Sequence, residues 1–371
     1  MKRYLLYIAI ILFSSPSFLP AQVNQNFNVN LFIDYSAAEN LIQLCERSTN
    51  NARRVAELPG NQIAASTSLL LARKVKSFDQ FVNELELLRD HFRSGEDLYG
   101  LEETRRNLAA VKILLAELKK RSIDRKIIAT IESFFPRTAR INASIPVYVV
   151  AMGHENAAAF VRRVEWVNDR PTFVGPNEGS PVIVLNLVRM VQYINSVDVQ
   201  FIETLSTLAH ESFHAVFSIY QETSPEWESI HASRHPASAL AELVQNEGIA
   251  YYISMQQQSM VEHPPSDWFR QTGNAIQALN DVMVEMQAPG LTYERATELM
   301  LNANLSGSTE KNYGATAGMR MAYEIDRRLG RAALTETIER GMNDFFVKYR
   351  EVCTRYDDAP KITDEAVYGV H

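Results

Sequence analysis

From Asp34 to about Arg140, apolar residues recur at spacings of three and four. That period lays one apolar stripe along a helix. The clearest stretches are Phe78–Phe92 and Glu102–Phe135, rich in Leu, Glu, Lys and Arg and poor in glycine. Asp34 or Ser36 supplies a cap for a helix through Leu41, Leu44 and Cys45. Pro59-Gly60 and Ser94-Gly95 mark breaks. The pattern changes after Pro136. Ile145–Met152 is β-branched and aromatic and predicts a strand, and Pro181–Leu187 predicts another after the turn cluster Pro176–Gly179. Beyond Val199 the helical spacing returns, broken by loops around residues 224–236, 263–267 and 287–291. The expected fold is α+β and mostly helical, with a small sheet packed on the helix that comes after it. There is no internal repeat.

The N-terminus has a different pattern. Lys2 and Arg3 precede an apolar run, Tyr4 to Phe13, and then small residues and prolines from Ser14 to Ala21. This order predicts a secretory signal peptide cut after Ala21, with an apolar run too short to span a bilayer. Residues 22–30 are polar and predict a leader. No later segment is long and apolar enough for a membrane helix, so a secreted or periplasmic protein without a stable membrane anchor is expected. The expected organisation is a signal peptide at 1–21, a helical N-terminal region at 22–140 and a second domain at 141–371.

Composition changes this picture little. The chain has 37 basic against 44 acidic residues, which excludes a basic nucleic-acid footprint. The two cysteines, Cys45 and Cys353, either pair in an oxidising compartment or remain buried thiols, and two are too few for a metal cluster.

The chemistry is concentrated in Thr207–Val216, which contains His210-Glu211-Ser212-Phe213-His214. Four residues make about 1.1 turns of helix, so the two histidines project side by side and can both donate to one metal ion. Glu211 lies about 100° around the helix, where it can take a proton from water held at that metal. Neutral imidazoles suit Zn2+. No proline or glycine interrupts residues 199–221. On a helical wheel Glu203, Thr207, His210, His214 and Gln221 share one face. Phe201, Ile202, Leu205, Leu208, Phe213, Val216 and Ile219 are among those covering the other.

A third ligand is expected on the next strong helical pattern, Pro236–Ile253. Its apolar stripe runs through Leu240, Leu243, Val244 and Tyr251, and Glu247 falls in the middle of it. A carboxylate on a buried face is costly unless it is paired or metal-bound. Gly248 removes bulk where two helices could approach closely. Glu242 lies on the opposite face and is expected to be solvated, so Glu247 is the preferred ligand. A metzincin would need glycine at 217 and histidine at 220, where Phe217 and Tyr220 stand. His231 and His235 lie in an irregular loop and are expected at the surface.

His210-Glu-Ser-Phe-His214 with Glu247-Gly-Ile-Ala 33 residues later resembles the gluzincins. More narrowly, it is similar to bacterial zinc peptidases with a Glu-Gly-x-Ala third-ligand helix. The resemblance covers about residues 145–345 and implies a zincin-like catalytic domain. It also implies that Val182–Leu187 is the edge strand that pairs with an extended substrate, and that residues 313–330 carry a tyrosine near the metal. Tyr313 is then the candidate oxyanion donor, with Arg320 as a weaker one. Tyr251 stands where one third-ligand pattern has Asp, so the carboxylate orienting a histidine must come from elsewhere, with Glu203 as the candidate.

The expected activity is hydrolysis of peptide or protein substrates, with zinc on His210, His214 and Glu247 and Glu211 as general base. The alternative is a catalytically silent, zinc-stabilised peptide- or protein-binding module on the same scaffold, against which the intact Glu211 argues. A helical scaffold without metal is the third possibility. Substrate preference, end- or mid-chain cleavage, control of access by the N-terminal helices and oligomeric state are not encoded in these patterns.

Overall fold

The computed structural model describes residues 26–48, 51–90, 96–192, 196–232, 235–304 and 312–368. The signal-peptide segment, the Ser94-Gly95 break and the loop at 305–311 lie outside the described residues. What is described is mostly helical, with a five-stranded mixed sheet in the order β1-β2-β5-β3-β4. The strands are β1 (Phe27–Asp34), β2 (Ile141–Val150), β3 (Ala159–Val167), β4 (Arg170–Phe173) and β5 (Ser180–Asn186).

Both predicted strands are present, as β2 and β5, and the apolar run of β5 is buried along almost its whole length. That pattern belongs to a strand covered on both faces. The polar leader is a correction. Residues 27–34 form β1, which pairs in parallel with β2 from Phe27↔Ile141 to Asp34↔Tyr148. Phe27, Val29 and Leu31 are buried while the residues between them are exposed. Asparagines at alternate positions hid a period-two strand in what looked like a uniformly polar stretch. The boundary at residue 140 therefore falls between two hydrogen-bonded strands of one sheet.

The hairpin β3–β4 was missed from the pattern. Asn168 and Asp169 both take positive φ, 50° and 59°. Asn and Asp tolerate that conformation best among residues with a side chain, and it makes the two-residue hairpin turn. Between β1 and β2 the described residues contain seven helices, from Ser36–Cys45 to Ile123–Glu132. Cys45 and Cys353 are buried and free, so no disulfide links the two regions.

Three helices position the polar residues of interest. The histidine helix is Val197–Thr223, the glutamate helix Pro236–Gln257 and the glycine helix Tyr313–Leu329. The histidine helix turns Phe213 and Phe217 into the core, their rings stacked at 5.4 Å with Phe135 and Trp227 packed around them. Ile202 departs from its expected place on the apolar back and is 42% exposed. The glutamate helix is pressed against the glycine helix. A methyl group added at Gly248 would lie 2.3 Å from the carbonyl carbon of Gly318, and one added at Gly318 would lie 1.9 Å from the Val244 carbonyl oxygen. Neither site admits a side chain, as expected for Gly248 from sequence.

Candidate metal centre

The histidine and glutamate helices run antiparallel and meet along a polar seam. Its rungs are Glu203 with Gln258, His210 and His214 with Glu247, His214 with Asn246, and Gln221 with Glu242. The wheel prediction supplied one side of this seam. The crossing of the two helices supplied the other.

At its middle, ligand atoms of His210, His214 and Glu247 all lie within 4.8 Å of one another. The two histidine Nε2 atoms are 3.0 Å apart, and the Glu247 Oε2 atom is 3.6 Å from one and 3.4 Å from the other. Ligand atoms on a tetrahedral zinc at ordinary bond lengths are about 3.3 Å apart. The donor set therefore matches zinc in both chemistry and size. His214 Nδ1 donates to Asn246 Oδ1 at 2.9 Å, so Nε2 is the nitrogen turned toward the other ligands and the one that can bind a metal once its proton is displaced. Asn304 Nδ2 donates to Glu247 Oε1 at 2.6 Å and fixes the carboxylate from behind.

The electrostatics of the pocket call for a cation. Burial of the His214 ring opposes its protonation. Glu247 outweighs it by charge and hydrogen bond, with help from Glu211 and Asn246, and lifts the imidazole to about 9. Burial would also raise the Glu247 carboxyl, yet His214 and His210 hold it well below the usual carboxylate range. A half-buried carboxylate set between two imidazoles attracts either a proton onto a ring or a metal ion between the three groups.

Glu211 lies close enough to the centre for its charge to act on His214, Tyr251 and Arg162. The Tyr251 ring stands edge-on to His210, with centroids 4.7 Å apart. Burial, then Glu247 and Glu211, push its phenol up, while a hydrogen bond from Asn312 opposes them.

Several expected roles change. The Tyr313 hydroxyl is buried and donates to the Leu299 carbonyl at 2.9 Å, and its charged neighbours are Arg295 and Glu285. Its hydroxyl is thus committed to a backbone carbonyl inside the core rather than offered to the three ligands. Arg320 is buried against Glu324 at 2.6 Å, and its Nη1 donates to Thr272. Glu203 accepts from Gln258 rather than orienting a histidine, a task Asn246 performs. Glu242 is not freely solvated: it accepts from Gln221 at 2.8 Å and lies 3.2 Å from His231. His231 is a partly exposed partner of that carboxylate, and His235 caps the glutamate helix by accepting from the Ala237 amide.

The substrate-strand expectation is also corrected. β5 is interior, paired on one side with β2 and on the other with β3. The open edge belongs to antiparallel β3. Its residues 159–164 pair with β5, whereas β4 covers only residues 164–167. Residues 159–162 thus have no strand on their outer side among the described residues. Past the end of this edge, a cavity of about 520 Å³ is walled by Ser218, Gln221, Glu242, His231 and Arg163. The three ligands do not line it, so it adjoins the centre without containing it.

The sequence pattern did not single out Asn246 or Arg162, and it placed Tyr251 only in the apolar stripe of its helix. Asn246 immediately precedes Glu247, a weak signal, and its partner depends on how two helices cross. Arg162 sits in the missed hairpin.

Residues 52–358 match the family described as "Putative zinc dependent peptidase (DUF5700)". No significant match was found among curated proteins or among solved structures.

Proposed function

The chain belongs to this zinc-dependent peptidase family, and from that premise we propose a gluzincin-type peptidase centred on His210, His214 and Glu247. The observation that carries the proposal is the triad of donor atoms at zinc-like separations, with Glu211 beside it. When bound, zinc would polarise a scissile carbonyl and make water more acidic. His210 and His214 present neutral nitrogens to it, and Asn246 holds the second ring in the tautomer this needs. Glu211 takes the proton of the attacking water and passes it to the leaving amine.

Tyr251 replaces Tyr313 as the candidate hydroxyl for the developing oxyanion, because its ring packs on a ligand histidine. An extended peptide laid along residues 159–162 would complete the open edge of β3 by main-chain hydrogen bonds. The basic, apolar, small-residue order of the first 21 residues supports work outside the cytoplasm.

Two measurements test the reading. Elemental analysis of the purified protein is expected to find one zinc per chain. Glu211→Gln is expected to abolish hydrolysis of a peptide library while keeping that zinc. Undiminished hydrolysis by the variant would remove Glu211 from the mechanism. Stoichiometric zinc with no hydrolysis by the unaltered protein would favour the binding-module alternative.

A further inference from the structure

Arg162 closes the open stretch of β3, and among the described residues no carboxylate pairs with it. Its Nη1 donates to the adjacent Val161 carbonyl at 3.3 Å, and its Nε is buried without an acceptor. The rings of Phe160 and Phe173 flank the guanidinium at 5.2 and 5.8 Å. Its neighbour Arg163 is already engaged with Glu222. Arg162 is therefore a half-buried cation with donors to spare, beside the strand edge a peptide would occupy. Glu211 is the carboxylate whose charge reaches it, and in the proposed mechanism that group is reserved for proton transfer.

A guanidinium in this state is suited to one class of ligand. It is already partly desolvated and packs near two aromatic rings, so less freedom remains to lose on binding than for an exposed arginine. Its free donors match the two oxygens of a carboxylate.

We propose that Arg162 is a specificity-determining residue that receives a carboxylate of the bound peptide, either its C-terminus or an Asp or Glu side chain near the bond cut. This rests on the peptidase reading. It makes the protein selective for acidic ends or acidic side chains rather than indifferent to charge.

The test uses zinc-loaded protein and three versions of one peptide library: free C-termini, amidated C-termini, and amidated C-termini with Asp and Glu replaced by Asn and Gln. Removing the recognised carboxylate is expected to lower kcat/KM roughly ten- to hundredfold, as for one charge-assisted contact. A fall on amidation identifies the terminus, and a fall only in the third library identifies a side chain. Arg162→Met should erase the difference while zinc content stays at one per chain, and Arg162→Lys should restore part of it. Equal cleavage of all three libraries, or discrimination that survives Arg162→Met, overturns the inference and leaves the peptidase reading intact.

Binding of N-acetyl-tetraalanine and its C-terminal amide, together with succinate as a side-chain analogue, to the zinc-loaded Glu211→Gln variant separates the other case. Carboxylate-dependent binding lost in Arg162→Met, with no cleavage by the unaltered protein, keeps Arg162 as the carboxylate contact, overturns its role in cleavage specificity and sinks the peptidase. No cleavage and no carboxylate-dependent binding overturns both.

Discussion

His214 shows how much a single residue carries. In the metal-free centre Glu247 and Glu211 lift its imidazole to about 9 against the cost of burying it, whereas an unfolded chain would hold it near the ordinary value of about 6.5. A group whose pKa is raised on folding adds stability that is complete below the unfolded value and lost as pH rises through the folded one. Metal-stripped protein is therefore expected to lose Tm between about pH 6.5 and about pH 9. Glu247 works in the opposite sense. Its depressed carboxyl adds stability above the ordinary carboxylate range that is lost only in acid. In the zinc-loaded protein the ion replaces the proton on His214, so the fall toward pH 9 should vanish. Thermal melts of both forms across this range check the claim, and a flat metal-free profile would show that Glu247 does not hold a proton on the ring. At this scale the sequence was informative wherever a residue contradicted its own surroundings. Glu247 in an apolar stripe was such a residue. Tyr313 was not, because a buried tyrosine bonded to a carbonyl has the same local pattern as a catalytic one.

Among elements, the crossing of the glutamate and glycine helices sets where Glu247 stands. The two backbones touch at Gly248 and Gly318, with Gly314 against Ala303 and Leu243 further along. Gly318→Ala would drive a methyl group into the Val244 carbonyl and push the helices apart. Overpacking of this kind costs about 1–3 kcal/mol, and an unyielding backbone neighbour places this case toward the upper end. Denaturant unfolding should report that loss, and a zinc titration should show weaker binding because Glu247 moves with its helix. Gly175→Ala is the control: nothing lies within 4 Å of a methyl group there, so a change within about 0.5 kcal/mol is expected. If the two variants behave alike, the helices do not cross so tightly. The glycine beside Glu247 was legible as a point of close approach, but its partner was not, since spacing along one helix says nothing of which helix it meets.

On the scale of the molecule, β1 ties the first described residues to the sheet that backs the centre. The family match begins at residue 52, yet the sheet begins at Phe27. Removing residues 1–51 would strip Phe27, Val29 and Leu31 from the core and uncover the β2 edge. It would also break the Phe27–Phe135 contact, and Phe135 packs on Phe213 of the histidine helix. An exposed flat edge beside an apolar face invites association between chains. A chain starting at residue 52 is therefore expected to melt lower or aggregate, whereas one starting at residue 22 should not. Light scattering and thermal melts distinguish the two, and a well-behaved short chain would show that β1 is dispensable.

The sequence by itself determined what local periodicity encodes. Two strands, the long helices, the paired histidines with Glu211, and the half-buried Glu247 all derive from spacings of two, three or four residues and from the cost of burying charge. Only the tertiary structure decided which residues meet across distance. It assigned the open edge to β3 instead of β5, histidine orientation to Asn246 instead of Glu203, and the nearby phenol to Tyr251 instead of Tyr313. It also left Arg162 beside that open edge without a carboxylate partner among the described residues. These outcomes depend on strand order and helix crossing, which are set by the packing of the whole core and leave no period in the chain.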